Sequence, residues 1–132
     1  MLFRSEFADT VLPRIKADGY TAVQLMAVAE HPYYGSFGYH VSSFFAPSSR
    51  FGTPEELKEL VRRAHRLGLA VIMDLVHAHY VKNLNEGIAE LDGTDHLYSP
   101  PGEAGNQPYW DSKLFDYAKP QVRHFLLSNV KY

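Results

Sequence analysis

The chain has 132 residues, 45% hydrophobic and 21% charged, a balance typical of one globular domain with a buried core. The net charge of −2 provides no positive surface for nucleic acid or an acidic membrane, so we expect neither as a partner. There is no cysteine, and no apolar run approaches the ~20 residues of a membrane helix. We therefore expect a cytoplasmic protein.

The first half of the chain predicts two helices and a strand. Residues 6–16 have helical spacing, with Pro13 predicting a kink or a late start, and residues 21–28 form an apolar run of strand length. Residues 29–49 are predicted to be a long loop rich in aromatic residues. Thr53, Pro54 and Glu56 then predict a helix start with a capping box.

The stretch 70–80, A-V-I-M-D-L-V-H-A-H-Y, is predicted to be a strand buried on both faces, with polar groups at its carboxyl end. The order helix, strand, loop, helix, strand is typical of βαβ units and of a parallel sheet or barrel, so the fold class is α/β. Residues 81–118 are polar and rich in turn signals, which predicts an irregular excursion. Residues 119–132 recover helical spacing, with Pro120 in the first turn.

Three polar residues follow the predicted strands and form the first candidate site. Parallel strands lie ~4.8 Å apart, so Asp74 and His79 could share one mouth with Tyr39 from the preceding loop. Strand alternation places Asp74 and His79 on opposite faces, so they meet only if the strand ends near Val76. The alternative is structural, with Asp74 capping a helix and His79 paired to backbone.

A second hypothesis is a metal-dependent hydrolase. His77 and His79 at i, i+2 on a strand point the same way and can chelate a metal. Further ligands would have to come from residues that no spacing singles out, such as His31, Asp92 or Asp95.

Aromatic residues make up 14% of the chain, which suits a ligand with flat apolar faces such as a sugar, or loop packing. Trp110 in W-D-S-K-L-F fits either reading, since it can contact carbohydrate or hold the excursion in place. The absence of G-x-G-x-x-G, P-loop and G-x-S-x-G motifs leaves nucleotide-binding and serine-hydrolase functions without support.

Six segments, in unbroken order, resemble the catalytic domain of the glycogen and starch branching enzymes, which belong to the α-amylase family of glycoside hydrolases. They are Q-L-M-A-V-A-E-H-P-Y-Y-G-S-F-G-Y at 24–39, F-F-A-P-S-S-R-F-G-T-P-E-E-L-K-E-L-V at 44–61, D-L-V-H-A-H at 74–79, L-D-G-T-D at 91–95, W-D-S-K-L-F at 110–115 and F-L-L-S-N-V at 125–130.

The resemblance implies an incomplete (β/α)₈ barrel, a fold that needs ~250 residues. Residues 1–132 would be the N-terminal part of the catalytic domain, with strands 2 and 3 at 21–28 and 70–77, helices 1–3, and the excursion at about 81–118.

The resemblance also implies roles for single residues. Tyr39 would stack on the sugar at the cleavage subsite, His79 would bond its hydroxyls, and Asp74 would brace an Arg beside the nucleophile. Lys113 stands where relatives usually have Arg, and it and Trp110 are weaker candidates for substrate contact. Ala78 replaces the Asn that ligates calcium in many amylases, so we expect neither a metal nor a cofactor.

The implied reaction retains the anomeric configuration, cleaving an α-1,4 link in an α-glucan and forming an α-1,6 branch. The nucleophilic Asp and the acid Glu are expected beyond Tyr132, so we expect no catalytic residue in this chain and no activity from it alone. The alternatives are part of another α-amylase-family glucanotransferase or hydrolase, the metal-dependent hydrolase, and a non-catalytic carbohydrate-binding module.

Overall fold

A computed structural model describes residues 3–132 of the chain. The chain packs as two compact units. Among the described residues, the first unit comprises 3–28 and 47–74, and the second unit comprises 29–46 and 75–132. No helix among the described residues has both the length and the apolar character needed to cross a membrane.

The regular elements are short. In chain order they are α1 (Arg4–Thr10), α2 (Leu12–Ala17), β1 (Ala22–Leu25), β2 (Ala29–Glu30), β3 (Ser43–Pro47), α3 (Pro54–Arg66), β4 (Ala70–Met73), β5 (His79–Val81), β6 (Asn106–Gln107), β7 (Ser112–Leu114) and α4 (Pro120–Lys131). Single 3₁₀ turns lie at Tyr34–Ser36, Ser49–Phe51 and Gly102–Gly105.

The predicted βαβ unit is confirmed in the first unit. β1 and β4 pair in parallel, with Ala22 opposite Ala70 and Leu25 opposite Met73, and α3 lies between them in the chain. This is the repeating unit of a (β/α)₈ barrel. The helix predicted over 6–16 is divided into α1 and α2 at Val11, because Pro13 in the first turn of α2 lacks the N–H that a continuous helix would use.

The two faces of the β1–β4 pair differ. Side chains on one face, including Val23 and Val71, pack against a helix-lined core that contains Leu12, Leu60 and Ala64. On the other face Ala70 is exposed and Ile72 is 51% exposed. The prediction that this strand is buried on both faces is therefore wrong for the described residues, since no element of the unit covers the second face.

The predicted capping box at the start of α3 is confirmed. The Thr53 hydroxyl accepts from the Glu56 amide at 3.2 Å, and the Glu56 carboxylate accepts from the Thr53 amide at 2.7 Å. The buried Arg4 guanidinium also donates to carbonyls ahead of this helix, at 2.7 Å for Ser48 and 2.5 Å for Gly52. These bonds fix the start of α3 within the first unit.

The second unit has more regular structure than the sequence predicted. Residues 29–49, predicted to be a loop, contribute β2 and β3, which pair with each other. Phe44 of β3 belongs to a core that includes Tyr80 and Phe115. Leu126 of the predicted helix α4 belongs to the same core. The aromatic residues of this segment therefore divide between the core and the surface.

The excursion predicted to be irregular at 81–118 contributes β6 and β7 to an antiparallel sheet in the order β5–β7–β6. His79 lies opposite Leu114 and Val81 opposite Ser112, while Asn106 lies opposite Lys113. The prediction is wrong at these strands because segments of two or three residues are too short to show an alternating pattern. The polar sequence around them masks the pairing.

Candidate functional site

A cavity of about 580 Å³ opens in the second unit where β5 begins. It lies beside the 3₁₀ turn at Tyr34–Ser36 and the segment that leads into β7. It is lined by Tyr33, Gly35, Ser36, Tyr39, His40, His79, Tyr109, Trp110 and Asp111. We call it the aromatic cavity. Three residues predicted to contact substrate, Tyr39, His79 and Trp110, therefore lie together, although they come from three separate segments.

His79 is the buried polar group of the aromatic cavity, with 6% of its surface exposed. Its Nδ1 is hydrogen-bonded to the Ser112 hydroxyl at 2.8 Å. The two strands bring these side chains to the same face of the sheet, because Ser112 pairs with Val81 and Val81 lies two residues after His79. With Nδ1 occupied by Ser112, Nε2 is the imidazole nitrogen left for a ligand.

Two rings surround the His79 imidazole. Trp110 lies beside it with ring centroids 5.2 Å apart and a tilt of 42°, and His40 meets it edge to face at 5.5 Å. Burial lowers the pKa of His79 below its ordinary value, and the nearby His40 lowers this pKa further. His79 is therefore a neutral imidazole at pH 7, with one nitrogen that donates and one that accepts.

The rim of the aromatic cavity presents aromatic rings to solvent. Tyr33 is 64% exposed, Trp110 is 56% exposed and Tyr109 is almost fully exposed. The Tyr33 ring lies so close to Gly35 that a Cβ there would meet the ring at 2.3 Å. Tyr39 is held by its amide, which donates to the Ser36 carbonyl at 3.0 Å. Exposed rings around a buried polar group suit a ligand with apolar faces and hydroxyl edges.

Among the residues that line the aromatic cavity, Asp111 supplies the carboxylate, and it forms an ion pair with Lys82. Retaining glycoside hydrolases use two carboxyl groups about 5–5.5 Å apart. The described lining thus offers ring faces and hydrogen-bonding groups together with a single carboxylate, and not a pair of carboxyl groups.

Asp74 lies in the first unit, directly after β4. It accepts a hydrogen bond from the Gln24 side-chain amide at 2.6 Å, and its own backbone amide donates to the Leu25 carbonyl at 3.2 Å. The hypothesis that Asp74 and His79 share one site required a strand that ends near Val76. β4 ends earlier, at Met73. The role predicted for Asp74, bracing an Arg beside a nucleophile, stays a prediction.

Lys113 lies in the second unit but outside the aromatic cavity. It is 7% exposed and lines a separate cavity with Asn106 and Asp95. The weaker prediction that Lys113 contacts substrate stays a prediction. The alternation of β7 explains the separation, since Ser112 and Lys113 are adjacent and project to opposite faces of the sheet.

The two histidines of the metal hypothesis bond to different groups. His77 Nε2 is 2.7 Å from the Asn129 side-chain oxygen, while His79 Nδ1 is held by Ser112. Within residues 3–132 the structure brings together no group of three His, Cys, Asp or Glu side chains that could hold a metal ion. His77 lies between β4 and β5, and this hydrogen bond joins it to α4 within the second unit.

Sequence reasoning did not single out three residues that act at the aromatic cavity: Tyr33 and His40 line it, and Ser112 is bonded to the lining residue His79. Ser112 orients His79, His40 influences its pKa, and Tyr33 supplies an exposed ring. A turn signal was present around Tyr33, because Pro32 and Gly35 flank Tyr33 and Tyr34. Ser112 had no such signal, since its role depends on the register of β5 and β7.

Comparison with known families supports the fold. The family model "Alpha amylase, catalytic domain" matches residues 10–116. The chain therefore belongs to the α-amylase family.

Individual relatives are similar over nearly the whole chain. The chain is 57% identical over 128 residues to a 1,4-alpha-glucan-branching enzyme of Dictyostelium discoideum, a match that covers 97% of this chain and 19% of that protein. It is 55% identical over 127 residues to the 1,4-alpha-glucan-branching enzyme of Yarrowia lipolytica, covering 96% of this chain and 18% of that protein. The chain thus spans about a fifth of the length of these relatives.

Solved structures show the same fold at lower identity. An alpha-amylase from Geobacillus thermoleovorans matches with a TM-score of 0.82 at 24% identity, over 98% of this chain and 30% of that chain. The maltogenic alpha-amylase AmyB from Thermotoga neapolitana matches with a TM-score of 0.79 at 22% identity, over 100% of this chain and 34% of that chain. The described sheets have two or three strands and none closes on itself, so the predicted partial (β/α)₈ barrel is confirmed.

Proposed function

We propose that this chain forms the glucan-binding wall of a 1,4-α-glucan branching enzyme and binds an α-glucan through the aromatic cavity. One observation carries the proposal: Tyr39 and Trp110 lie in one cavity with a buried, neutral His79, in a chain 57% identical to a branching enzyme. We also propose a cytoplasmic location, because a chain without cysteine suits a reducing compartment.

The chemistry of the aromatic cavity fits a pyranose ring. The ring faces of Tyr39, Tyr33 and Trp110 offer apolar surface for the C–H face of a sugar. His79 Nε2 reaches one hydroxyl from a fixed orientation, because Ser112 holds the other nitrogen. A neutral imidazole loses less hydration than a charged one when a sugar covers it, so the lowered pKa of His79 favours binding.

In the proposed reaction a carboxylate attacks C1 of an α-1,4-linked glucosyl unit, and a second carboxyl group protonates the leaving oxygen. The covalent glycosyl intermediate is then captured by the 6-hydroxyl of a glucan chain, which yields the α-1,6 branch. The reaction needs two carboxyl groups, whereas the described lining of the aromatic cavity has one, that of Asp111, which is paired with Lys82. The proposal therefore assigns this chain binding without turnover when it is alone.

The test combines binding and turnover. Titration of the 132-residue protein with maltotetraose should quench Trp110 fluorescence, and Tyr39→Ala should weaken this binding about tenfold, the loss of a ring stacked on a sugar. Tyr20→Ala is the matched control, because Tyr20 is an exposed aromatic residue outside the cavity and its removal should leave the affinity unchanged.

Amylose incubated with the protein should gain no α-1,6 links detectable by NMR. New α-1,6 links that persist after repurification would overturn the binding-only assignment, and equal affinities for Tyr39→Ala and wild type would overturn the proposed site. Stoichiometric zinc or manganese that is lost in His77→Ala would favour the metal-dependent hydrolase instead.

A further inference from the structure

A second cavity, of about 290 Å³, lies in the second unit and is lined in part by Lys82, Asp95, Glu103, Asn106 and Lys113. We call it the lysine cavity. The register of the sheet separates it from the aromatic cavity. Asn106 lies opposite Lys113, which lies opposite Tyr80, so these residues share the face that His79 and Ser112 do not occupy.

Lys113 provides a buried ammonium group in the lysine cavity. The residue is 7% exposed, and its Nζ donates to the Asn106 side-chain oxygen at 3.4 Å and lies 4.0 Å from Asp95 Oδ2. Both distances exceed those of strong charge-assisted bonds, which are about 2.7–2.9 Å long. An ammonium has three N–H donors, so Lys113 retains capacity to donate to a ligand oxygen.

The groups around Lys113 are already held in place. Asp95 accepts from the His96 ring at 3.0 Å and from the Gly102 amide at 3.0 Å, and the Asn106 amide donates to Glu103 at 3.2 Å. The bond from His96, the Gly102 amide and the charge of Lys113 lower the pKa of Asp95, which keeps this carboxylate ionised and accepting. Fixed donors and acceptors reduce the entropy that a bound ligand would cost.

The charges of the lysine cavity select the kind of ligand. Three carboxylates in the lining, Glu90, Asp95 and Glu103, outnumber its two ammonium groups and disfavour an anion. Donors next to acceptors match hydroxyl groups, which do both. The volume is near the lower end of small-molecule sites, about 300 Å³, so the ligand is small.

We propose that the lysine cavity is a second carbohydrate site, which takes one pyranose unit through hydrogen bonds from Lys113 and to Asp95. The choice of glucose as the sugar rests on the proposed function. The site lies on the opposite face of the β5–β7–β6 sheet from the aromatic cavity. It gives Lys113 a role that is separate from the reacting bond.

The test maps binding of maltotetraose and of methyl α-D-glucopyranoside by amide chemical shifts of the 132-residue protein. Both sugars should shift the Gly102 and Lys113 amides, since the Gly102 amide bonds directly to Asp95. Lys113→Met keeps most of the side-chain volume. It should lower the affinity measured from the Gly102 and Lys113 shifts at least tenfold, while the shifts at Trp110 persist. Lys58→Met on the exposed side of α3 is the matched control and should change neither set.

The wild-type map decides the question even if Lys113→Met fails to fold. Gly102 and Lys113 amides that stay unmoved up to the solubility limit of both sugars would overturn the second site, whatever the Trp110 amide does. Shifts at Gly102 without shifts at His79 and Trp110 would support the second site and contradict the proposed function. A Lys113→Met protein that is folded and binds at Gly102 as wild type does would also overturn the inference.

Discussion

His79 Nδ1 lies 2.8 Å from the Ser112 hydroxyl, a hydrogen bond that joins β5 to β7 across 33 positions of sequence. Both residues are buried, so water cannot replace either hydrogen-bond partner. The bond fixes the imidazole plane and leaves Nε2 for a ligand. The binding chemistry proposed for the aromatic cavity therefore depends on a strand pairing that the sequence did not predict.

Ser112→Ala tests this relationship. Loss of the hydroxyl leaves a buried imidazole nitrogen without its partner, and we expect the free energy of unfolding to fall by about 1–3 kcal/mol. Maltotetraose should bind more weakly because His79 is no longer held in one orientation. Urea unfolding and fluorescence titration measure the two effects. Ser128→Ala on the exposed side of α4 serves as control, and equal losses in both variants would contradict the assignment.

The lowered pKa of His79 predicts how stability depends on pH. Its folded-state pKa lies below the ordinary value of 6.5, so near and below that pH the unfolded chain binds more protons at this group than the folded chain does. The His79 contribution to stability is therefore complete above pH 6.5 and declines as the pH falls towards the folded-state pKa.

Urea unfolding between pH 7.5 and 5 should show a smaller loss of stability for His79→Gln than for wild type. The ring resonances of His79 should titrate below 6.5, and His40→Gln should raise this pKa because the electrostatic interaction with His40 that lowers it is removed. A His79 titration at or above 6.5 in the wild type would contradict the burial that causes the shift.

Gly35→Ala tests the position of the Tyr33 ring. A Cβ at this residue would meet the ring at 2.3 Å, so the ring must move, and a flexible side chain can do so without unfolding the protein. We expect unchanged stability and weaker maltotetraose binding. Tyr33→Ala should weaken binding equally, and the double variant should lose no more than either single one. Additive losses would show that Gly35 acts through something other than Tyr33.

Thr53→Ala tests the start of α3. The substitution removes the hydroxyl that accepts from the Glu56 amide, and the expected cost is about 1 kcal/mol of unfolding free energy. Thr53→Ser is the matched control because it retains the capping oxygen. Urea unfolding of both variants measures the difference, while maltotetraose binding in the second unit should be the same for the two. Equal stability of the two variants would contradict the cap.

The sequence alone determined the features that arise from neighbouring residues. The capping box needs Thr53 and Glu56 three positions apart, and Pro13 interrupts a helix wherever that helix packs. The apolar run at Ala70–Met73 predicted a strand, and its pairing with β1 follows from the right-handed βαβ connection through α3. The family motifs predicted that Tyr39 and His79 serve one site, and both line one cavity.

Only the tertiary structure decided what depends on the pairing of distant segments. The alternation of β7 sends Ser112 to His79 and Lys113 to a different cavity, although they are adjacent in the chain. Strands of three residues carry no pattern that fixes their register, because their stability comes from cross-strand contacts rather than from local preference. The exposed face at Ile72 has the same origin, since burial of an apolar strand requires a neighbouring element that local sequence does not specify.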